Sequence, residues 1–240
     1  MLLAVDTSVD GVIDTYQKIL DAITDETDGR ALDAQRPRFV RQCEARMRRM
    51  LRMSPVRPMM ARQAITVSSE YVVSPSDMVK PIGIELIDGN DRREIDFIDD
   101  DQMLGLREQE DYYRDAYPAF SGAGNYPRYF TMTAEGEFRF WPTPDTSRTG
   151  TLFYYQDLPT LSDANQSNWM LANHPDAYVD GAIYYAYRAM TDEAKAAAYK
   201  TIFEENMQEV LDAYPKPASK ATLRVDPMLS LPRRYLTHAY

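Results

Sequence analysis

The chain has 240 residues, 44% of them hydrophobic, which is enough for a buried core in one or two domains and excludes disorder throughout. Its formal net charge of −10 argues against free, sequence-independent binding to a nucleic-acid backbone, because that affinity comes from cationic contacts to phosphate. A lone cysteine, Cys43, excludes an intrachain disulfide framework, no window approaches the roughly 20 apolar residues of a membrane span, and the opening MLLAVDTSVDG lacks the features of a signal peptide, so a reducing cytoplasm is the expected place of synthesis.

In chain order, Val12, Ile13, Tyr16, Ile19, Leu20 and Ile23 recur at three- and four-residue spacing, which predicts an amphipathic helix with Thr7 or Ser8 as its cap. A second helix is expected from Leu32 through Phe39, Val40, Cys43, Met47, Met50 and Leu51, with Asp33 at the N-cap and Pro37 in the first turn, where no intrahelical N–H bond is lost. It should stop before SPVRP. The pattern then changes to period two in QAITVSSEYVV, VKPIGIELIDG and REIDFID, with Gly89-Asn90-Asp91 as a turn. A short acidic helix is read around Asp100 to Glu108. After the loop AYPAFSGAGNYP come a hairpin turning at Glu135-Gly136 and the aromatic strand GTLFYYQDL. Pro175 opens a tyrosine-rich helix, and Thr191, Asp192 and Glu193 cap another that ends at Pro215 and Pro217.

The resulting expectation is an α+β fold: a predominantly helical body of residues 1–60 and 166–214, an inserted, mostly antiparallel β module of 61–165, and an extended tail of 215–240. The tail keeps apolar anchors and arginines in Arg224, Met228, Leu229, Leu231, Arg233, Arg234 and Tyr235. These fit a strap for a partner surface, the alternative being a segment packed back along its own subunit.

Charge is unevenly placed. Arg36, Arg38, Arg41, Arg46, Arg48, Arg49, Arg52 and Arg57 meet only Asp33 and Glu44, whereas the segment from Glu85 to Asp115 is dominated by carboxylates, Asp99, Asp100 and Asp101 among them. Either both are solvated faces, or Arg41, Arg48 and Arg49 of one copy meet Asp99 to Asp101 of the next. Phosphate-binding, metalloprotease, hydrolase and dithiol motifs are absent, the only histidines are His174 and His238, and no cofactor is expected. Asp96 with Asp99 to Asp101 leaves a carboxylate-dependent metal enzyme as one alternative, and the basic helix leaves a nucleic-acid-binding protein as another; the plainer reading of the aspartates is an acidic helix N-terminus. Cys43 is read as a small buried hydrophobe.

The pieces FVRQCEARMRRMLRM, YPRYFTMTAEGEFRFWPTPD, LFYYQDLPTLSD and NWMLANHPDAYVDGAIYYAYRAMTDE, in this order, resemble the adaptor, or head-to-tail connector, proteins of tailed bacteriophages. The matching features are Pro142 and Pro144, Tyr154 and Tyr155, Leu158 to Ser162, Trp169, and Pro175 to Tyr178. The resemblance implies a structural virion protein in the neck, not an enzyme. It implies a ring, typically of twelve copies, docked beneath the portal protein, with tail or nozzle proteins below and DNA passing through without specific binding. A tail-completion ring is the viral alternative. The aromatic strand, loop and helix would then serve packing within and between subunits.

Overall fold

The structure is a computed structural model that describes residues 12–29, 33–88, 91–116 and 126–214. Helix α1, Tyr16–Glu26, begins later than its periodicity implies, because Thr15 caps it by accepting from the Lys18 N–H at 3.4 Å, and Val12 is 58% exposed. Thr7 and Ser8 lie outside the described residues. Helix α2, Arg36–Met53, follows a single 3₁₀ turn over Asp33–Gln35. Asp33 is therefore not its N-cap. With Asp33 there, Pro37 would occupy the position whose N–H must bond back to the first turn; starting at Arg36 keeps Pro37 where no such bond is needed.

Among the described residues seven strands follow: β1 (Met60–Val67), β2 (Tyr71–Val73), β3 (Met78–Asp88), β4 (Asp91–Phe97), β5 (Tyr129–Met132), β6 (Glu137–Trp141) and β7 (Arg148–Gln156). Helix α3, Asp100–Ala116, lies between β4 and β5, and is longer than the acidic stretch alone implies. The strands make one sheet in the order β1-β7-β3-β4-β5-β6-β2, with only β4 and β5 parallel. Pro81 sits in the part of β3 that has no β4 partner, between register shifts against β7, so its missing N–H leaves no gap in a doubly paired ladder.

The two edges, β1 and β2, are consecutive in the chain. Ser68 to Glu70 join them across at most about 14 Å, whereas in a flat sheet the outer strands would lie about 29 Å apart. The sheet must curl, and the Phe140 N–H bonding to the Glu70 carbonyl at 2.8 Å holds the bend. Inside the curl lie Val67, Ile84, Leu86, Phe130, Phe138, Phe140 and Leu152.

The chain then returns to helix in α4 (Trp169–Asn173), α5 (Pro175–Ala189) and α6 (Glu193–Ala213). Asp192 caps α6 by accepting from the Lys195 N–H. A second core joins Ile19 and Ile23 of α1, Phe39, Cys43 and Met47 of α2, Tyr178 and Ala182 of α5, and Phe203 and Met207 of α6.

This overturns the expected architecture of a predominantly helical body carrying an inserted β module. The sheet occupies the middle of the chain and shares an interior strand with the helices: on β7, Tyr154 enters the sheet core while Tyr155 enters the helical core. Val79 and Met78 of β3 divide in the same way. Alternation along a strand puts neighbours on opposite faces, and here both faces are covered.

Two glycines mark close approaches. A Cβ on Gly150 would lie 2.2 Å from the Glu85 carbonyl oxygen of β3. A Cβ on Gly181 would lie 2.4 Å from Cys43 Sγ and 2.7 Å from the Phe203 ring, where α2, α5 and α6 converge. Gly181→Ala should therefore lower stability by about 1–2 kcal/mol despite the better helix propensity of alanine, read as a lower denaturant midpoint with unchanged slope.

Candidate assembly surfaces

Helix α2 turns Phe39, Val40, Cys43, Met47 and Leu51 inward, so the arginines between them are driven outward, but not to one fate. Arg48 bends over the loop that follows β7. Its Nε and Nη2 donate to the Leu158 carbonyl at 3.1 and 2.9 Å, and Nη2 also donates to Thr160 Oγ1. Arg52 pairs with Asp157 at 2.5 Å, Arg46 with Glu204 of α6 at 2.7 Å, and Arg36 donates to the Leu20 carbonyl at 3.1 Å.

Beneath Arg48 lies Glu44, 1% exposed. Its Oε1 accepts from the Leu161 N–H at 2.7 Å and from the Tyr178 hydroxyl at 3.4 Å, while Oε2 makes no hydrogen bond and sits 3.9 Å from Arg48 Nη2. Asn168 donates to the same tyrosine hydroxyl at 2.7 Å and to the Pro159 carbonyl at 2.8 Å, and its Oδ1 caps α4 through the Leu171 N–H. Leu158 to Asn168 is thus clamped onto α2 and α5 by buried polar groups. Burial raises the Glu44 carboxyl above its ordinary range, opposed by the Leu161 N–H and by Arg48. Burial also pushes the Tyr178 phenol up, with the Glu44 charge adding to the shift.

Two of the four tyrosines of α5 are hydrogen-bonded within the subunit. Tyr187 donates to the Glu26 carbonyl at the end of α1, and Tyr178 belongs to the clamp. At the other end of the body, Trp169 and His174 meet the ring of Tyr214 edge-on, with His174 Nε2 3.2 Å from its hydroxyl.

The arginines that remain outward on α2 are Arg38, Arg41 and Arg49, all exposed and without an ion pair among the described residues. Arg38 and Gln42 line a groove of about 250 Å³ with Tyr185 and Arg188 of α5. Arg188 escapes a reading of charge runs because it stands alone in the sequence. Asp99, Asp100 and Asp101 are exposed where β4 gives way to α3. Asp100 lies 3.6 Å from Arg139, which also bonds Glu70, as does Arg107. The carboxylates of Asp100 and Asp101 stand in the first turn of α3, where they oppose the helix dipole.

Within one chain no hydrogen bond or ion pair joins Arg41, Arg48 or Arg49 to Asp99, Asp100 or Asp101. Arg224, Met228, Leu229, Leu231, Arg233, Arg234, Tyr235 and His238 lie outside the described residues. Among the described residues no group of three His, Cys, Asp or Glu side chains is placed to hold a metal ion, and no helix is long and apolar enough to cross a membrane. Cys43 is fully buried, its thiol pushed well up by burial and by Glu44, which leaves it no thiolate character.

Two stability measurements separate the internal from the external groups. Arg48→Ala should cost about 1–2 kcal/mol in urea unfolding, since it strips the Leu158 carbonyl of its donor, whereas Arg49→Ala should stay within about 0.5 kcal/mol of the parent. For Glu44, a folded carboxyl held above its unfolded value binds the proton more tightly in the folded state. The associated stability is complete below the ordinary value of 4.5 and is lost as pH rises through the raised one. Glu44→Gln should therefore gain on the parent as pH rises across that window, in urea midpoints measured side by side.

A family model described as SU10 adaptor protein matches residues 14–238. No curated protein matches the chain.

Proposed function

We propose, because this chain belongs to the SU10 adaptor protein family, a family of phage head–tail adaptors, that it is one subunit of a ring of identical copies that joins the portal of a phage capsid to the tail. The family match over residues 14–238 carries this reading: it spans both cores, the clamped loop and most of the C-terminal segment. The role is structural, and no step of covalent chemistry is assigned to it. Twelve copies, a position in the virion neck and a lumen through which DNA passes follow from the same reading, as does docking of residues 215–240, through Arg224, Met228, Leu229, Leu231, Arg233, Arg234 and Tyr235, on the portal.

The surfaces support a head-to-tail contact. An exposed cationic face on α2 and exposed carboxylates at the start of α3 are distinct patches that make no ion pair with each other inside the subunit. In a ring, one copy's Arg41 and Arg49, with Arg48 beside them, meet the next copy's Asp99, Asp100 and Asp101, and opposite potentials set the orientation of the encounter. Because Arg48 also holds its own loop, Arg41 and Arg49 carry the contact.

The test is native mass spectrometry of the protein alone and mixed with the portal protein of the same genome. A portal complex with a fixed copy number is expected; association with tail proteins only, or with nothing, would overturn the portal reading. Arg41→Glu with Arg49→Glu should lower the closed-ring population at least tenfold, and adding Asp99→Arg and Asp101→Arg should restore it. Ring closure untouched by the first pair removes this interface.

A further inference from the structure

Strand β1 has an unguarded outer edge. Its eight residues pair with β7 from Met60 opposite Tyr155 to Val67 opposite Arg148 without a break in register, and among the described residues no hydrogen bond meets its other side. Soluble proteins blunt such edges with proline, lysine, a bulge or a very short strand, since an open row of N–H and C=O groups templates pairing with another chain. In MARQAITV there is no proline, no lysine and no bulge, and Arg62 is the only charge.

The curl brings the other edge, β2, to face it. Between the two lies a groove of about 210 Å³ lined by Gln63, Ile65 and Thr66 of β1, Val72 and Val73 at β2, and Leu152 of β7. The groove mixes polar and apolar lining, and β2 leaves two large apolar side chains in solvent, Val73 at 75% exposure in the groove wall and Tyr71 at 45% beside it on the strand. A curled sheet that stops short of closure, with an unpaired edge and apolar side chains at the seam, has the form of a strand acceptor.

The sequence beyond α6 contains one stretch with the matching pattern. Twenty-six residues follow Tyr214 (240 − 214), and the family match runs through them to residue 238, so this segment belongs to what the family shares. Within it Ala221, Leu223 and Val225 alternate with Thr222, Arg224 and Asp226, between Pro217 and Pro227. Period two with Thr and Val is a strand signature, and the prolines confine it. Six extended residues span about 20 Å against about 26 Å for the eight of β1.

We propose that residues 221–226 of one copy add as a strand to the β1 edge of a neighbouring copy, directing Leu223 and Val225 onto the groove and Thr222, Arg224 and Asp226 to solvent. A donor segment and an acceptor edge at different places on one chain form a heterologous contact, the kind that repeats around a ring and closes. The proposal rests on the ring reading and narrows its portal-docking segment at Pro227: the part before it, Arg224 included, links neighbours, and Met228, Leu229, Leu231, Arg233, Arg234 and Tyr235 after it are left for the portal.

The test uses full-length chains in the assembled ring. Mixed rings of Ala64→Cys chains with, in turn, Thr222→Cys, Leu223→Cys, Arg224→Cys and Val225→Cys chains are oxidised and run without reducing agent; buried Cys43 does not compete. A covalent dimer between the two kinds of chain is expected in at least one mixture, and none in any would overturn the proposal. In parallel, amide exchange over Met60–Val67 should slow at least tenfold on assembly of the parent and not with Leu223→Asp plus Val225→Asp. Equal slowing in that variant, or β1 already protected in the monomer because a chain occupies its own edge, would overturn it as well. A closed ring without the link sinks the donor strand and leaves the adaptor reading standing; the link in a species that native mass spectrometry shows is not a closed ring does the reverse.

Discussion

Everything in this subunit hangs on the fact that a strand has two faces and β7 uses both. Tyr154 and Tyr155 are neighbours, and because successive side chains of a strand point to opposite sides, one seals the curled sheet and the other seals the helices. Strand β7 also lies between β1 and β3, so each of its sides is hydrogen-bonded and neither tyrosine can slip by a residue without inverting the other. Gly150 completes the arrangement by letting β3 approach closer than any Cβ would permit. Two cores therefore share one register, and a disturbance in either is felt by both.

From that strand the chain must return to the helices, and the return is held by the clamp of Glu44, Arg48, Asn168 and Tyr178. A buried carboxylate with one oxygen lacking a hydrogen bond is a costly group to keep. Here it ties a loop amide and a tyrosine hydroxyl to a helix that would otherwise touch the loop only at its rim. The arginines of α2 fall into two populations: Arg36, Arg46, Arg48 and Arg52 bond inside the subunit, and Arg38, Arg41 and Arg49 are exposed and make no ion pair among the described residues.

The periodic segments of this chain were legible because their information is local. Apolar residues at three- and four-residue spacing locate α1 and α2, Pro175 marks the first turn of α5, Asp192 caps α6 as read, and Gly136, at φ 80°, takes the hairpin turn read at Glu135-Gly136. What was not legible is non-local. The sheet curls because its two edges are joined by three residues, and no window of sequence shows that β1 and β2 are edges. The inserted-module reading failed for the same reason: the alternation of Leu152 and Tyr154 against Phe153 and Tyr155 points to a strand contacted on both faces, but nothing in it says that what covers one face is the helices. Arg48 and Arg49 are adjacent and chemically identical, and only the fold shows that one is an internal anchor. Asp33 failed as a cap because the proline four residues on had a stronger claim on where the helix starts.

The charge distribution gains meaning in the proposed ring. Every exposed group of one copy recurs in all the others, so even one arginine per subunit facing a DNA lumen becomes a belt of phosphate contacts. Affinity of that kind grows with each contact and each released counterion, and it opposes passage. A channel that must let DNA move needs its cations engaged elsewhere and its carboxylates in excess, which the net charge of −10 provides. In the proposed ring, Arg41 and Arg49 placed between subunits would meet that need and the need for oriented assembly at once: the same side chains that would grip DNA in a lumen would give the ring its direction at the seam.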